Sequence, residues 1–164
     1  MSRAWLFGDD LDTDQIVPGR YAPFMVGQDK FHMYAFCDAR PEFAKDVRPG
    51  DILVGGDNFG CGSSREYAVA ALRKLGVGGI VAKSFARIFF RNCVNLGIPA
   101  VESADASDLV RDGDEVALDL AASVLRTPRG DAQLRPLAPF AREILRTGGV
   151  VRYLREHGDF PKLT

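Results

Sequence analysis

The stretch Gly56–Glu66 has the sequence GDNFGCGSSRE and joins a predicted strand to a predicted helix. The strand before it is Asp51–Gly55, which follows the turn signal Pro49–Gly50, and the helix after it covers about 64–75. Glycines in such a connection allow positive φ angles and a close approach of the backbone to a ligand. Free amides and the helix dipole at this end favour an anion. We therefore expect an anion-binding turn here.

Strands and helices alternate on the C-terminal side of this turn. Ile80–Ala82 is a second buried strand, a helix capped by Ser84 continues to about Leu96, and Ile98–Val101 is a third strand. Upstream, Trp5–Phe7 is also predicted as a strand. Alternation of this kind predicts βαβ units with parallel strands and right-handed crossovers.

The C-terminal third has a different pattern. The predicted elements are a short helix over Asp105–Arg111, two strands over Val116–Leu120 and Ser123–Arg126 that can pair in antiparallel fashion, and amphipathic helices over 137–147 and 149–156. Internal repeats and low-complexity stretches are absent from the sequence. We therefore predict a single α/β domain over residues 1–164, with a mixed sheet.

Residues 20–45 form a long segment without a regular period. Aromatic residues lie among polar ones, and Pro23, Gly27 and Pro41 interrupt any pattern. Segments of this length are usually binding loops or lids, or are disordered. The many aromatics favour ordered packing, and we expect the segment to be mobile when the chain is alone.

Composition narrows the class of protein. The 164 residues are 46% hydrophobic and 26% charged, as in an ordinary globular domain. A net charge of -1 gives no basic field for nucleic acid. No apolar run approaches the roughly 18–20 residues of a membrane helix, and the first apolar run meets Gly8-Asp9-Asp10 too soon for a signal peptide. We expect a cytoplasmic protein without nucleic-acid or membrane partners.

The cysteines argue against a metal centre in this chain. Cys37, Cys61 and Cys93 form no CxxC pair and no short cluster with His32 or His157. An odd number with wide spacing is typical of reduced thiols in the cytosol. Iron–sulfur clusters use several thiolates, usually with some closely spaced. We predict no metal ligands here.

The end of the glycine turn has two interpretations. Ser63-Ser64-Arg65-Glu66 matches the capping box S-x-x-E, in which Ser63 and Glu66 would satisfy helix amides. Alternatively, two hydroxyls and the forked guanidinium of Arg65 would hold a carboxylate. A cap requires neither Gly60 nor Gly62, so the glycines favour the second interpretation.

Three other glycine motifs do not fit this turn. The lysine of a phosphate loop is absent, and Arg65 occupies the third glycine position of a dinucleotide fingerprint. The G-x-S-x-G elbow of α/β-hydrolases is also absent. A serine hydrolase that pairs Ser63 or Ser64 with His32 is therefore disfavoured.

Two further stretches accompany Gly56–Glu66: Gly8–Ile16, GDDLDTDQI, and Ala82–Asn92, AKSFARIFFRN. In their order and spacing the three resemble the small subunit of isopropylmalate isomerase (3-isopropylmalate dehydratase) and of homoaconitase, and the swivelling domain of aconitase. The resemblance covers most of 5–102. It implies a swivelling β/β/α fold.

The resemblance also implies an activity. Family members dehydrate a 2-hydroxy acid and rehydrate it with the hydroxyl on the neighbouring carbon, using a [4Fe–4S] cluster on the large subunit as Lewis acid. This implies a hydro-lyase that works only with its large subunit, as a heterodimer or heterotetramer, with no cofactor in this chain. The substrate would be a small di- or tricarboxylic hydroxy acid, as in the isomerisation of 3-isopropylmalate to 2-isopropylmalate in leucine biosynthesis.

Residue roles follow from the same resemblance. Ser63 would be the catalytic base, Ser64 and Arg65 would bind a substrate carboxylate, and Thr13 and Asp14 would line the active site. Asp14 would orient a histidine of the partner. Three further residues of the motif are interpreted as supporting the shape of the turn: Gly60, Gly62 and Glu66. Lys83 and Arg87, which flank Ser84, are interpreted as structural.

Substrate choice is expected to depend on Tyr21–Met25, YAPFM, through Tyr21, Pro23 and Phe24. This loop contains no arginine for a second buried carboxylate, which favours an apolar substituent. A homoaconitase-like enzyme and other dehydratases, of the dimethylmalate or methylcitrate type, remain alternatives, as does a non-catalytic carboxylate-binding module. Tyr67 replaces a histidine that is common in the family.

Overall fold

Seven strands form one mixed sheet in the computed structural model, which describes residues 1–161. The order across the sheet is β4-β3-β2-β1-β5-β6-β7. The strands are β1 Ser2–Leu6, β2 Ile52–Val54, β3 Gly79–Ala82, β4 Ala100–Glu102, β5 Glu115–Asp119, β6 Val124–Thr127 and β7 Gly130–Gln133. The predicted α/β class with a mixed sheet is confirmed.

The first four strands are parallel and contain the predicted βαβ units. Trp5 of β1 is in register with Leu53 of β2, and Leu53 with Ile80 of β3. The helices are α1 Thr13–Ile16, α2 Pro23–Val26, α3 Phe43–Asp46, α4 Glu66–Lys74, α5 Arg87–Leu96, α6 Ala106–Leu109, α7 Pro139–Thr147 and α8 Val150–His157. Helix α4 connects β2 to β3, and α5 connects β3 to β4. None of the helices within residues 1–161 is both long and apolar enough to cross a membrane.

The helix that follows β3 begins later than predicted. Its first residue is Arg87 and its N-cap is Ala86, which offers no side-chain acceptor. The predicted cap, Ser84, instead accepts a hydrogen bond from the Asn58 amide at 2.8 Å. The prediction was wrong because a contact with the glycine turn, 26 residues away in sequence, engages this hydroxyl.

The other half of the sheet is antiparallel. β5 pairs with β1, β6 with β5, and β7 with β6. The sequence predicted the first two of these strands, while β7 was missed. Side chains of the parallel strands alternate between two cores, because successive residues of a strand face opposite sides. Trp5, Leu53 and Ile80 pack with α4 and α5, whereas Ala4, Ile52 and Val81 pack with α6 and the antiparallel strands.

The 20–45 segment contains short helical turns packed on the sheet. Two of these are 3-10 turns, at Gly19–Tyr21 and Phe31–Tyr34. Its phenylalanines Phe31, Phe36 and Phe43 are at most 1% exposed. The rings of Phe36 and Phe7 stack at 4.5 Å. The aromatics therefore form part of the core, while mobility of the segment in the isolated chain stays a prediction.

One acidic side chain fastens this segment to the sheet. Asp112 accepts two hydrogen bonds from the Arg40 guanidinium, at 2.8 and 2.9 Å, and one from the Leu6 amide at 2.9 Å. The Arg40 guanidinium lies 4.7 Å from the centre of the Trp5 ring, within the range of a cation–π contact. Arg40 thus joins the segment to β1.

Replacing this carboxylate should destabilise the fold. We expect Asp112→Asn to lower the free energy of unfolding by about 1–2 kcal/mol, because Asp112 is half exposed and its charged hydrogen bonds are partly screened. Urea denaturation measures the change. The control is Glu42→Gln, which removes another exposed partner of Arg40 and should destabilise the chain less than Asp112→Asn does.

The same interaction should weaken in acid. Arg40 and the Leu6 amide lower the pKa of Asp112 in the folded chain. A lowered pKa gives stabilisation that is present above the unfolded value, near 4, and is lost as pH falls through the folded value. The free energies of unfolding of the wild type and of Asp112→Asn should therefore approach each other as pH falls below about 4. A constant difference down to pH 2 would contradict this account.

Candidate active site

The three stretches singled out in the sequence meet at one edge of the sheet. Gly8–Ile16 follows β1, Gly56–Glu66 follows β2, and Ala82–Asn92 begins at the end of β3. Two isolated parallel bridges, between Asp12 and Cys61 and between Phe59 and Phe85, join them. The carboxyl ends of parallel strands are the usual place for a ligand in open α/β sheets. This edge is therefore the candidate active site.

Gly60 fixes the shape of the turn. Its φ is +82°, in the left-handed region, and its amide donates to the Leu11 carbonyl at 2.7 Å. A Cβ on this residue would lie 2.1 Å from Cγ of Phe89 on α5. Only glycine allows both this φ and this close approach of the turn to α5.

The capping-box interpretation of Ser63 is wrong. Helix α4 begins at Glu66 with Arg65 as its N-cap, and no side chain caps it. Ser63 and Ser64 are exposed, and neither hydroxyl forms a hydrogen bond in the described chain. Glu66 is exposed as well, and its carboxylate forms no hydrogen bond with residues 1–161. The two hydroxyls are therefore free to meet a ligand.

Thr13 holds the backbone of the turn. It is 3% exposed, and its Oγ1 donates to the Ser63 carbonyl at 2.8 Å. Its amide donates to the Cys61 carbonyl at 2.9 Å. Because the two bonds lie on either side of Gly62, they position the peptide groups that carry Ser63.

Arg65 is anchored by Asp14. Its Nη1 donates to Oδ1 of Asp14 at 2.7 Å, and the same oxygen accepts the Gly19 amide at 3.0 Å. The Gly19 amide and the Arg65 guanidinium hold the pKa of the Asp14 carboxyl below its ordinary value. The Tyr67 ring centre lies 6.0 Å from the guanidinium carbon. Arg65 is thus oriented, and its charge is balanced by Asp14.

A cavity of about 190 Å³ lies between the turn and α5. The predicted site residues on its walls are Thr13, Gly60, Gly62, Ser63, Ser64 and Arg65. Helix α5 contributes Phe89, the residue that faces Gly60, and three others: Arg87, Ile88 and Asn92. Sequence reasoning missed these three as site residues, although their stretch was one of the three that resembled the family.

The predicted specificity residues lie outside this cavity. Tyr21, Pro23 and Phe24 are not among its lining residues. The Tyr21 ring stacks on Tyr34 at 4.1 Å, and Phe24 is 81% exposed. Their segment adjoins the site at Gly19, whose amide donates to Asp14. A Cβ at Gly19 would lie 3.3 Å from Nη1 of Arg65.

The described residues, 1–161, do not fit an iron–sulfur cluster. Within 1–161, no group of three or more His, Cys, Asp and Glu side chains could hold a metal ion. Burial raises the pKa of the Cys93 thiol, and partial burial raises that of Cys61. Thiols held in the neutral form are poor ligands, because metals bind thiolates.

Comparisons with known proteins agree with this geometry. Residues 13–106 match the aconitase C-terminal domain family. The homoaconitase small subunit of Thermus thermophilus is 59% identical over 161 residues, covering 98% of this chain and 99% of that protein. The 3-isopropylmalate dehydratase small subunit 1 of Deinococcus radiodurans is 54% identical over 161 residues, covering 98% and 90%.

A solved structure supports the same assignment. The crystal structure of 3-isopropylmalate dehydratase from Methanocaldococcus jannaschii matches with a TM-score of 0.86 and 38% identity. The match covers 96% of this chain and 93% of that one. The chain therefore belongs to the aconitase C-terminal domain family, among the small subunits of 3-isopropylmalate dehydratases and homoaconitases.

Proposed function

We propose that this chain is the small subunit of a hydro-lyase that isomerises a 2-alkylmalate-type hydroxy acid. The reaction that the relatives' names support best is the conversion of 3-isopropylmalate to 2-isopropylmalate in leucine biosynthesis. The observation that carries the proposal is the turn at the strand ends, where two free serine hydroxyls adjoin an arginine already oriented by Asp14.

The roles that the family resemblance implies for the side chains suit the chemistry of this reaction. The proton to be removed lies next to a carboxylate and is weakly acidic, so the base must be strong. Ser63, as the alkoxide, takes this proton while the hydroxyl leaves the neighbouring carbon as hydroxide and the double bond forms. In rehydration hydroxide adds to the carbon that lost the proton, and Ser63 returns the proton to the carbon that lost the hydroxyl. Arg65 and Ser64 hold the carboxylate, and Thr13 holds the peptide groups around Ser63.

A partner is required because Ser63 is exposed to water in this chain. Preorganised donors stabilise an alkoxide strongly only in a site from which water is excluded. We propose a large subunit that closes the site, in a heterodimer or heterotetramer, and that carries the [4Fe–4S] cluster that this chain's residues do not fit. Asp14, which is exposed on one side, would also orient a histidine of that partner.

A homoaconitase is the second candidate, because one relative with 59% identity bears that name. Its substrate has a further carboxylate, which would require a further cation. Arg20 precedes the loop Tyr21–Met25, but both oxygens of Asp38 accept from its Nη2, at 2.5 and 2.7 Å. This pairing, together with the absence of arginine from the loop, favours an apolar substituent bound near Tyr21, Pro23 and Phe24.

Reconstitution tests the proposal. The purified chain is mixed with a cluster-loaded 3-isopropylmalate dehydratase large subunit, and turnover of 3-isopropylmalate, homoaconitate and dimethylmalate is compared. We expect turnover only in the mixture, and fastest with 3-isopropylmalate. A mixture that assembles but converts none of the three would overturn the assignment and favour a carboxylate-binding module.

Removing the anchor of Arg65 should impair the reconstituted enzyme. We expect Asp14→Asn to lower kcat/KM about tenfold or more, because loss of a charged hydrogen bond is worth about 1.5–3 kcal/mol before solvent screening. In the wild type the ion pair is present above the ordinary pKa of Asp14 and is lost as pH falls through its lowered value. Asp131→Asn, which changes an exposed carboxylate on β7, should leave kcat/KM unchanged.

A further inference from the structure

The cavity beside the glycine turn contains a second arginine, Arg87, whose charge is not balanced. Arg65 and Arg87 are the charged side chains on its walls. Arg65 is paired with Asp14 at 2.7 Å. Arg87 is exposed and has no acidic partner within 4.0 Å anywhere in the described residues. The net positive charge of this cavity therefore comes from Arg87.

The acidic side chain that shares a cavity wall with Arg87 is already paired with another arginine. Arg87 also borders a neighbouring cavity of about 430 Å³, whose walls include Glu102 and Arg135. Glu102 accepts from Nη1 of Arg135 at 3.2 Å, and the Glu102 carbonyl accepts the Arg135 amide at 2.8 Å. Because Arg135 neutralises Glu102, the guanidinium of Arg87 keeps its binding capacity.

The same helix contributes further hydrogen-bond donors to this wall of the cavity. Asn92, further along α5, lines the cavity, and its side-chain amide forms no hydrogen bond with residues 1–161. Helix α5 begins at Arg87 without a side-chain cap, so its first amides add donors and partial positive charge. The helix wall thus offers donors opposite the serines of the turn.

We propose that Arg87, assisted by Asn92, binds the second carboxylate of the substrate while Arg65 and Ser64 bind the first. The inference deepens the proposed function and rests on it. A dicarboxylate gripped at one end can rotate about that end, whereas attachment to both walls fixes the carbon that must face Ser63. Arg87 is therefore a substrate-binding residue on a helix, in addition to those on the turn.

The test compares three variants of the reconstituted enzyme. We expect Arg87→Gln to raise KM about tenfold to a hundredfold with a smaller change in kcat, because a charged hydrogen bond made in both ground and transition states is lost. Arg87→Lys should recover part of the loss, since it keeps the charge without the fork. Arg91→Gln removes an exposed arginine of α5 outside the cavity and should leave KM unchanged.

Equilibrium binding of two small ligands tests this proposal separately from the proposed activity. Malate has two carboxylates and lactate has one, and their dissociation constants for the assembled proteins are measured by calorimetry. Arg87→Gln should weaken malate about tenfold or more and leave lactate unchanged. Unchanged malate affinity would overturn the proposal, as would equal weakening of both ligands. Failure of the wild type to turn over any hydroxy acid refutes the proposed function, while the malate comparison still reports on Arg87.

Discussion

Ser63→Ala is expected to reduce kcat of the reconstituted enzyme about a hundredfold to ten-thousandfold, the usual contribution of a positioned proton-transfer group. The Ser63 hydroxyl forms no hydrogen bond in the described chain and is exposed, so its removal should leave the fold intact. The Thr13 bond reaches the Ser63 carbonyl, which alanine retains. Steady-state kinetics and a sedimentation measurement of assembly together distinguish loss of chemistry from loss of the complex.

Two other serines serve as comparisons. Ser64→Ala should act mainly on KM, because its proposed role is to bind a carboxylate. Ser107→Ala, on the short helix α6, should change neither parameter. Full turnover by Ser63→Ala, with assembly intact, would show that another group removes the proton.

Gly60→Ala should unfold the turn and destabilise the chain. A left-handed φ of +82° costs a residue with a Cβ about 1–2 kcal/mol, and the overlap with the Phe89 ring adds about 1–3 kcal/mol. Relief of the overlap would displace the turn from α5, so reconstituted activity should fall with stability. Thermal unfolding of the isolated chain and kcat/KM of the complex measure the two effects.

Gly113→Ala is the matched control for this change. Gly113 has nearly the same φ, +87°, but a Cβ there would meet no atom within 4 Å. The Gly113→Ala variant should therefore lose only about 1–2 kcal/mol of unfolding free energy, from the backbone strain alone, and should keep its activity in the complex. Equal destabilisation by the two substitutions would show that the contact between Gly60 and Phe89 contributes little.

The parallel half of the fold was predictable from local patterns. Ile52–Val54 and Gly79–Ala82 are fully buried runs with a glycine at one end, Gly55 after the first and Gly78 before the second. Their type and order could therefore be recognised. β7 lacked such a signal, because in Gly130–Gln133 only Ala132 is buried. The short helical turns of residues 20–45 are three or four residues long, too short to establish a helical period.

The site was predictable only in part, because several of its contacts join distant residues. The motif identified Ser63 and Arg65, but the pairing of Arg65 with Asp14 spans 51 positions. The capping box failed for the same reason, since Thr13 fixes the backbone at Ser63 from 50 positions away. Arg87 was interpreted as structural, because no local sequence pattern indicates that α5 forms a wall of the cavity.

The exposure of Ser63 and Ser64 on the glycine turn affects how strongly the two proposed subunits associate. In the proposed assembly the substrate touches groups from both chains, so it binds the pair more tightly than either chain alone. Thermodynamic reciprocity then requires the substrate to increase the affinity between the chains by the same factor. The hydroxy acid thus acts as a reversible cross-link, and its concentration helps to set how much of the enzyme exists as the pair.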